Sequence, residues 1–189
     1  PQHRRQRQMC IRDSSTNPDE VYYLAGLTSV GLSFEQPVEC MESISLGTLN
    51  FLEAIKLNQK KIKFFNAGSS ECFGNTNKII ANEKTVFSPR SPYATAKATA
   101  FWIVSNYRES YNLFCCTGIL GNHESPLRNK RFVTKKIVSG VWDIVCKKSN
   151  ELRLGNLDNW RDWGWAPEYV EAMYLIMNSP EPEDYIIAT

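Results

Sequence analysis

The chain has 189 residues, a formal net charge of +2, 42% hydrophobic and 12% aromatic residues, which suits one globular domain or a piece of a larger one. No apolar run reaches about 18 residues, so we expect neither a membrane-spanning helix nor a secretory signal. The six cysteines contain no C-x-x-C pair, and we therefore expect reduced thiols in a cytoplasmic protein, with no disulfide framework and no metal site.

Positive charge is concentrated at the start of the chain. Residues 1–14 hold four arginines and one aspartate, and the remainder carries 18 basic and 19 acidic residues. An arginine-rich head can be a nucleic-acid arm, but the nearly neutral body predicts no nucleic-acid partner. Because its Q-M-C-I-R-D-S run resembles a translated transposon end, we interpret residues 1–14 as a non-native or disordered head.

Beyond the head, apolar runs typical of buried strands alternate with helical patterns. We predict strands at 21–26, 61–67, 113–120 and 185–189, with a further short strand at 152–154. We predict helices at 33–58, 93–111, 132–147 and 167–178. This alternation indicates right-handed βαβ units and an α/β fold with a parallel sheet. The chain contains no G-x-G-x-x-G run, so a dinucleotide-binding sheet here would lack its first strand and glycine-rich turn.

The stretch from Ser88 to Lys97 carries the strongest local signal. Pro92 is compatible with the first turn of a helix, and Ser91 is the expected N-cap. Tyr93 and Lys97 then lie four residues apart on one helix face. A nearby ammonium lowers the pKa of a phenol, which predicts a proton acceptor that works near neutral pH. Taken alone, this pair is also compatible with an ordinary exposed helix surface.

Polar residues follow two of the predicted strands. Ser69 and Glu71 follow the strand at 61–67, and His123 and Arg128 follow the strand at 113–120. Open α/β sheets bind ligands at the carboxyl ends of their strands, although Ser69 or Ser70 in a simple polar turn is an alternative. The tryptophan-rich run at 160–165 indicates either core packing, with Arg161 stacked on an aromatic ring or paired with its neighbour, or an arginine fork for phosphate.

From about residue 17 to residue 189, the chain resembles extended short-chain dehydrogenases/reductases, and among them the GDP-mannose 4,6-dehydratase family. The resemblance is carried by VYYLAG, FFNAGSSECFG, PRSPYATAKATAFW, NHESPLR and RDWG. It implies a partial Rossmann-like, doubly wound parallel sheet that lacks its first βαβ unit and glycine-rich loop. It also implies truncation at both ends, with a partial NADP-binding domain at 15–130 and the start of a substrate-binding region at 131–189.

The resemblance also implies an internal redox cycle on GDP-mannose. Hydride passes from C4 of the hexose to NADP and returns to C6 after water is lost, which gives GDP-4-dehydro-6-deoxymannose, an intermediate of GDP-fucose biosynthesis. In this cycle Tyr93 accepts the proton of the 4-hydroxyl group, Ser69 hydrogen-bonds the 4-oxygen, and Lys97 holds the nicotinamide ribose. Glu71 is the base that removes the C5 proton.

Further binding residues follow from the same resemblance, together with a homo-oligomeric parent enzyme. The predicted cofactor contacts are Leu24, Ala25, Gly26, Leu27, Thr28, Lys97, His123 and Arg128, and the predicted substrate contacts are Asn122, Lys136 and Arg161. Two alternatives remain open at this point. One is a related nucleotide-sugar epimerase or reductase, and the other is a truncated fragment without catalytic activity.

Overall fold

The computed structural model describes residues 18–189 except residues 59, 77–78 and 159. The predicted head at 1–14 lies outside this described part. Within these ranges, no helix is both long and apolar enough to cross a membrane, and no cluster of three His, Cys, Asp or Glu residues is arranged to hold a metal ion. The five cysteines in the same ranges are free.

Six strands and six helices lie within the described residues. The strands are β1 Glu20–Tyr23, β2 Lys63–Ala67, β3 Cys115–Leu120, β4 Asn122–Glu124, β5 Trp163–Trp165 and β6 Tyr185–Ile187. The helices are α1 Val30–Glu35, α2 Pro37–Met41, α3 Gly47–Leu57, α4 Pro92–Tyr111, α5 Val133–Val145 and α6 Ala166–Met177. A π-helical turn spans Glu42–Leu46, and a 3₁₀ turn spans Ser70–Phe73.

The main sheet is parallel throughout, with strand order β1-β2-β3-β6. Helices cover both of its faces, which confirms the predicted doubly wound α/β fold. Cys115 packs with α3 and α4 on one face, and Cys116 packs with α6 on the other. Neighbouring residues of a strand point to opposite faces, so a strand covered on both sides is apolar at every position.

Two predictions about local structure are wrong. The predicted helix at 33–58 is interrupted at Gln36, whose φ of −130° and ψ of 59° lie outside the helical region. The ring of Pro37 disfavours the helical conformation at the residue before it, so α1 ends there and Pro37 begins α2. Residues 152–154 form no strand, because no described strand pairs with them.

A mostly buried ion pair connects α4 to β6. Arg108 donates from Nη1 to Asp184 Oδ1 at 3.0 Å and from Nη2 to Asp184 Oδ2 at 2.5 Å. The same carboxylate accepts the backbone N–H of Thr117 at 2.7 Å. The exposed fractions of the two charged side chains are 18% and 13%. This contact fixes the segment before β6 against β3, near the amino ends of the two strands.

Candidate active site

A cavity of about 440 Å³ lies at the carboxyl ends of β1, β2 and β3. It collects residues that are far apart in the sequence, as expected for an open parallel sheet. The predicted site residues that line it are Leu24, Thr28, Ser69, Glu71, Tyr93, Lys97, Asn122, His123 and Arg128. Ala25, Gly26, Leu27, Lys136 and Arg161 are not among the lining residues. The four predicted catalytic residues therefore share one cavity, whereas the predicted binding residues only partly do.

The start of α4 places Tyr93 and Lys97. The Ser91 side chain accepts the backbone N–H of Ala94 at 3.1 Å, and Pro92 is the first helical residue, so the predicted N-cap is confirmed. The Tyr93 N–H donates to the Ser33 hydroxyl of α1 at 3.2 Å. These bonds satisfy N–H groups that a helix start otherwise leaves unpaired, and they fix the first turn of α4 at the cavity.

Lys97 is a buried cation, with 7% of its surface exposed. Its Nζ donates to the Ala67 carbonyl at the end of β2 at 2.7 Å and lies 5.8 Å from the ring centre of Tyr93. Burial lowers the pKa of Lys97 to about 8, because removing an ammonium from water disfavours its charged form. At neutral pH the protonated form of this side chain still predominates.

The pKa of Tyr93 differs from the prediction. Burial raises it to about 12, and an interaction with the Ser69 side chain acts in the opposite direction. The expected lowering by Lys97 is therefore not found. The cost of removing a phenolate from water exceeds the effect of a lysine whose ammonium already donates to a backbone carbonyl. Tyr93 is consequently protonated at neutral pH in this cavity.

Ser69 and Glu71 occupy the turn after β2. Ser69 is 8% exposed, and its hydroxyl accepts the Glu71 N–H at 3.3 Å, so it caps the 3₁₀ turn as the alternative interpretation expected. It also faces Tyr93, so the capping role and a role in the cavity coexist in one side chain. The Glu71 carboxylate lines the cavity, and its Oε1 lies 3.8 Å from Nη2 of Arg161.

Arg161 therefore pairs with Glu71 and not with its sequence neighbour Asp162. Both side chains are partly exposed, at 44% and 35%, so this pair contributes little to stability. Its importance lies in position, because a predicted substrate-binding cation meets the predicted base. Lys136, the other cation predicted to bind substrate, is exposed on α5.

His123 and Arg128 line the other side of the cavity. His123 Nδ1 lies 3.0 Å from the Gly121 carbonyl. The Arg128 guanidinium lies over the Phe132 ring at 3.7 Å, with Nε 3.3 Å from the Glu124 carboxylate. Within the described residues, that Nε is buried and makes no hydrogen bond of acceptable geometry.

The Glu124 carboxylate is the ionic partner of this Nε, and the guanidinium of Arg128 lines the cavity as a cation that suits an anionic ligand. The same cavity also contains the Lys97 ammonium and the hydroxyls of Ser69 and Tyr93. These groups fit the ribose and phosphate portions of a nicotinamide dinucleotide.

Sequence reasoning missed Asp162 and Tyr169. Tyr169 is 2% exposed, lines the cavity and donates to Asp162 Oδ2 at 3.1 Å. Tyr169 and Met173 lie four residues apart on α6, and this spacing was available in the sequence as a sign of one helix face. The missing information was the pairing of β4 with β5, two three-residue strands that bring Trp163 opposite Asn122.

Comparisons with known proteins identify the family of the chain. A family profile described as GDP-mannose 4,6 dehydratase matches residues 8–189. GDP-mannose 4,6 dehydratase 2 of Caenorhabditis elegans is 46% identical over 178 residues, which cover 93% of this chain and 47% of that protein. GDP-mannose 4,6 dehydratase of Drosophila melanogaster is 47% identical over 174 residues, or 91% and 44% of the two chains. The chain thus spans about half the length of these relatives.

Solved structures agree on the fold. RMD from Pseudomonas aeruginosa, solved with NADPH, superimposes with a TM-score of 0.84 at 24% identity over 90% of this chain and 60% of that chain. A dTDP-glucose 4,6-dehydratase from Streptomyces venezuelae gives a TM-score of 0.82 at 19% identity over 94% and 56%. The predicted fold and the predicted resemblance are both confirmed, and the chain belongs to the GDP-mannose 4,6-dehydratase family.

Proposed function

We propose that the full-length protein containing this chain is an NADP-dependent GDP-mannose 4,6-dehydratase, a carbon–oxygen lyase that releases GDP-4-dehydro-6-deoxymannose and water. The main support is that Ser69, Glu71, Tyr93 and Lys97 line one cavity at the carboxyl ends of parallel strands. The relatives named as this dehydratase add to it. A nicotinamide cofactor is favoured by the NADPH and NAD in the solved structures and by the donors around Arg128.

Hydride transfer needs a proton acceptor for the 4-hydroxyl group. When bound, NADP would supply the hydride acceptor for oxidation at C4 and, once reduced, the hydride donor for C6. Tyr93 accepts the proton of the 4-hydroxyl, and Ser69, which interacts with the same phenol, hydrogen-bonds the 4-oxygen. Because the pKa of Tyr93 is raised to about 12, this step depends on groups that favour its phenolate. The Ser69 side chain acts in this direction, whereas Lys97, one helical turn away, does not offset the effect of burial.

Elimination needs a second base, and we assign this role to the carboxylate of Glu71 in the turn after β2. Once C4 is a ketone, the C5–H bond is acidic. Glu71 takes the C5 proton, the electron pair forms the C5–C6 double bond, and the C6 hydroxyl leaves as water after Glu71 passes it that proton. Arg161, 3.8 Å from Glu71, binds the nucleotide sugar next to this carboxylate. His123, Arg128, Leu24 and Thr28 contact the cofactor.

The test is turnover of GDP-mannose by the full-length enzyme, with formation of a 4-keto-6-deoxy sugar as the readout. Glu71→Gln is expected to permit hydride removal but to block water loss, because the amide cannot accept the C5 proton. Glu35→Gln, which changes an exposed carboxylate on α1, is the matched control and should turn over normally. Dehydration by Glu71→Gln at the normal rate would show that Glu71 is not the base.

A related epimerase or reductase is the competing function. Either enzyme would act on its sugar without losing water from C6, so product analysis separates the classes directly. The carboxylate of Glu71 in the cavity favours the dehydratase, because an epimerase has no step that requires proton abstraction from C5 followed by elimination.

We further propose that the 189-residue chain alone is inactive and binds NADP weakly. β1 lies at one edge of the described sheet, and an unpaired edge favours non-native pairing. Titration of the chain with NADP by calorimetry tests this, and tight binding would contradict it. Several further properties of the protein remain predictions. They are the cytoplasmic location, the homo-oligomeric assembly, the position in GDP-fucose biosynthesis, the domain boundaries and the absence of nucleic-acid and membrane partners.

A further inference from the structure

Asp162 receives more hydrogen bonds than an ordinary loop carboxylate. Its Oδ2 accepts the Tyr169 hydroxyl at 3.1 Å. Its Oδ1 accepts the Thr189 hydroxyl at 2.5 Å and the Thr189 N–H at 3.2 Å. Three donors from two different elements therefore converge on one side chain, which connects the segment before β5 to α6 and to the residues after β6.

The Tyr169 ring connects this carboxylate to the cavity. It packs against the His123 ring, with the ring centres 5.0 Å apart and an interplanar angle of 32°. A Cβ built on Gly164, the residue paired with His123, would lie 2.1 Å from Tyr169 Cε2. The ring therefore lies directly against the backbone of β5 and the His123 side chain of β4, and its hydroxyl is held by Asp162.

Gly121 makes the arrangement possible. A Cβ at this position would lie 2.4 Å from Asp162 Oδ2 and 2.9 Å from the Tyr169 hydroxyl oxygen. Contacts this short force neighbouring atoms to move. The carboxylate and the phenol thus occupy the space that any side chain at residue 121 would need.

The orientation of His123 is the functional consequence. Its Nδ1 faces the Gly121 carbonyl at 3.0 Å. A carbonyl oxygen only accepts, so Nδ1 carries the proton and Nε2 of the neutral ring is an acceptor. An acceptor at the cavity suits a ligand N–H or O–H group, such as a carboxamide or a ribose hydroxyl.

We propose that Asp162 is a positioning residue for cofactor binding, which it supports by holding Tyr169 against His123. This inference rests on the proposed function, because it takes His123 as a contact of the nicotinamide dinucleotide. Asp162 itself does not line the cavity. Its effect passes through the Tyr169 hydroxyl, so the two residues act as one unit.

The first readout is the NMR signal of the His123 ring in the full-length enzyme. His123→Gln assigns the signal, because this variant lacks it. Asp162→Ala and Tyr169→Phe are each expected to move it, because the ring current of Tyr169 changes with its position. The double variant should move it no further than either single variant. Thr189→Val, which removes one donor to Asp162 without touching Tyr169, is the control and should leave the signal in place.

The second readout is the KM for NADP in the full-length enzyme. Loss of the positioning hydrogen bond is expected to raise this KM roughly fivefold to tenfold, while kcat at saturating NADP changes much less. Tyr169→Phe should raise it by the same factor, and Asp162→Ala should add nothing in the Tyr169→Phe background.

Additive effects, or an unchanged KM and an unmoved His123 signal, would overturn the inference. If Asp162→Ala does not fold, Tyr169→Phe provides the same comparison with a smaller change. An enzyme that binds NADP as expected but leaves GDP-mannose unchanged would refute the proposed function alone. The His123 signal does not depend on turnover.

Discussion

Replacing Lys97 with methionine tests the energetics of the buried cation. Burial lowers the pKa of Lys97 from 10.5 to about 8, which corresponds to an unfavourable contribution to folding of about 3.4 kcal/mol when the ammonium is charged in both states. Methionine fills similar space without charge. It also loses the hydrogen bond to the Ala67 carbonyl, and leaving that acceptor unpaired costs about 1–3 kcal/mol. We therefore expect Lys97→Met to be as stable as the wild type at pH 7, or up to about 2 kcal/mol more stable.

The pH dependence is the sharper part of this prediction. Between pH 8 and pH 10.5 the unfolded chain still binds the proton that the folded protein has lost, so raising the pH through this window removes the penalty and stabilises the wild type. The penalty falls from about 3.4 kcal/mol at pH 7 to about 2 kcal/mol at pH 9. The difference in unfolding free energy between variant and wild type should therefore shift by about 1.4 kcal/mol against the variant.

Urea unfolding of both proteins at pH 7 and pH 9, followed by far-ultraviolet circular dichroism, measures this shift. Taking the difference cancels the tyrosines and cysteines that titrate in both chains. Lys84→Met, at an exposed lysine in the loop before α4, is the control and should change stability little at either pH. A Lys97→Met difference that is the same at both pH values would refute the assignment of Lys97 as a buried, destabilising charge.

Three further changes test other parts of the structure. Asp184→Ala leaves the Arg108 guanidinium mostly buried without its carboxylate, and urea unfolding should show a loss of about 3–5 kcal/mol; a loss below about 1 kcal/mol would mean that the pair behaves like a surface contact. Ser91→Ala removes the N-cap of α4 and should lower the unfolding free energy by about 1 kcal/mol, whereas Ser105→Ala in the same helix should change it by less than about 0.5 kcal/mol. In the full-length enzyme, Tyr93→Phe should abolish turnover of GDP-mannose, measured as formation of the 4-keto-6-deoxy sugar, and leave the Kd for GDP-mannose nearly unchanged; turnover by this variant would rule out the phenol as proton acceptor.

Much of the fold follows from patterns that the sequence shows directly. The continuous apolarity of β3 predicted cover on both faces, and Cys115 and Cys116 do pack in separate cores. Ser91 and Pro92 marked the start of α4 because their chemistry is local to one helical turn. The catalytic residues converge because parallel strands align their carboxyl ends, so two strand ends and one helix start were sufficient to predict the cavity.

The remaining features depend on tertiary contacts. The pKa of Tyr93 follows from burial, which residue spacing does not report. Arg161 meets Glu71 because β5 pairs with β4, and strands of three residues give too little periodicity to be recognised. Asp162 acquires its partners from α6 and from the residues after β6, so only the folded chain shows that it is a centre of hydrogen bonding.

The exposed tryptophans have a practical consequence for spectroscopy. All five tryptophans, from Trp102 to Trp165, are between 43% and 89% exposed. In the native protein, their emission maximum should already be near that of an indole exposed to water. Denaturation should therefore shift the emission maximum very little. Trp163 and Trp165 lie on the strand that pairs with Asn122 and Glu124. A quenched or blue-shifted emission would therefore indicate a ligand bound against this strand. The fluorescence of this chain should thus report ligand binding better than it reports unfolding.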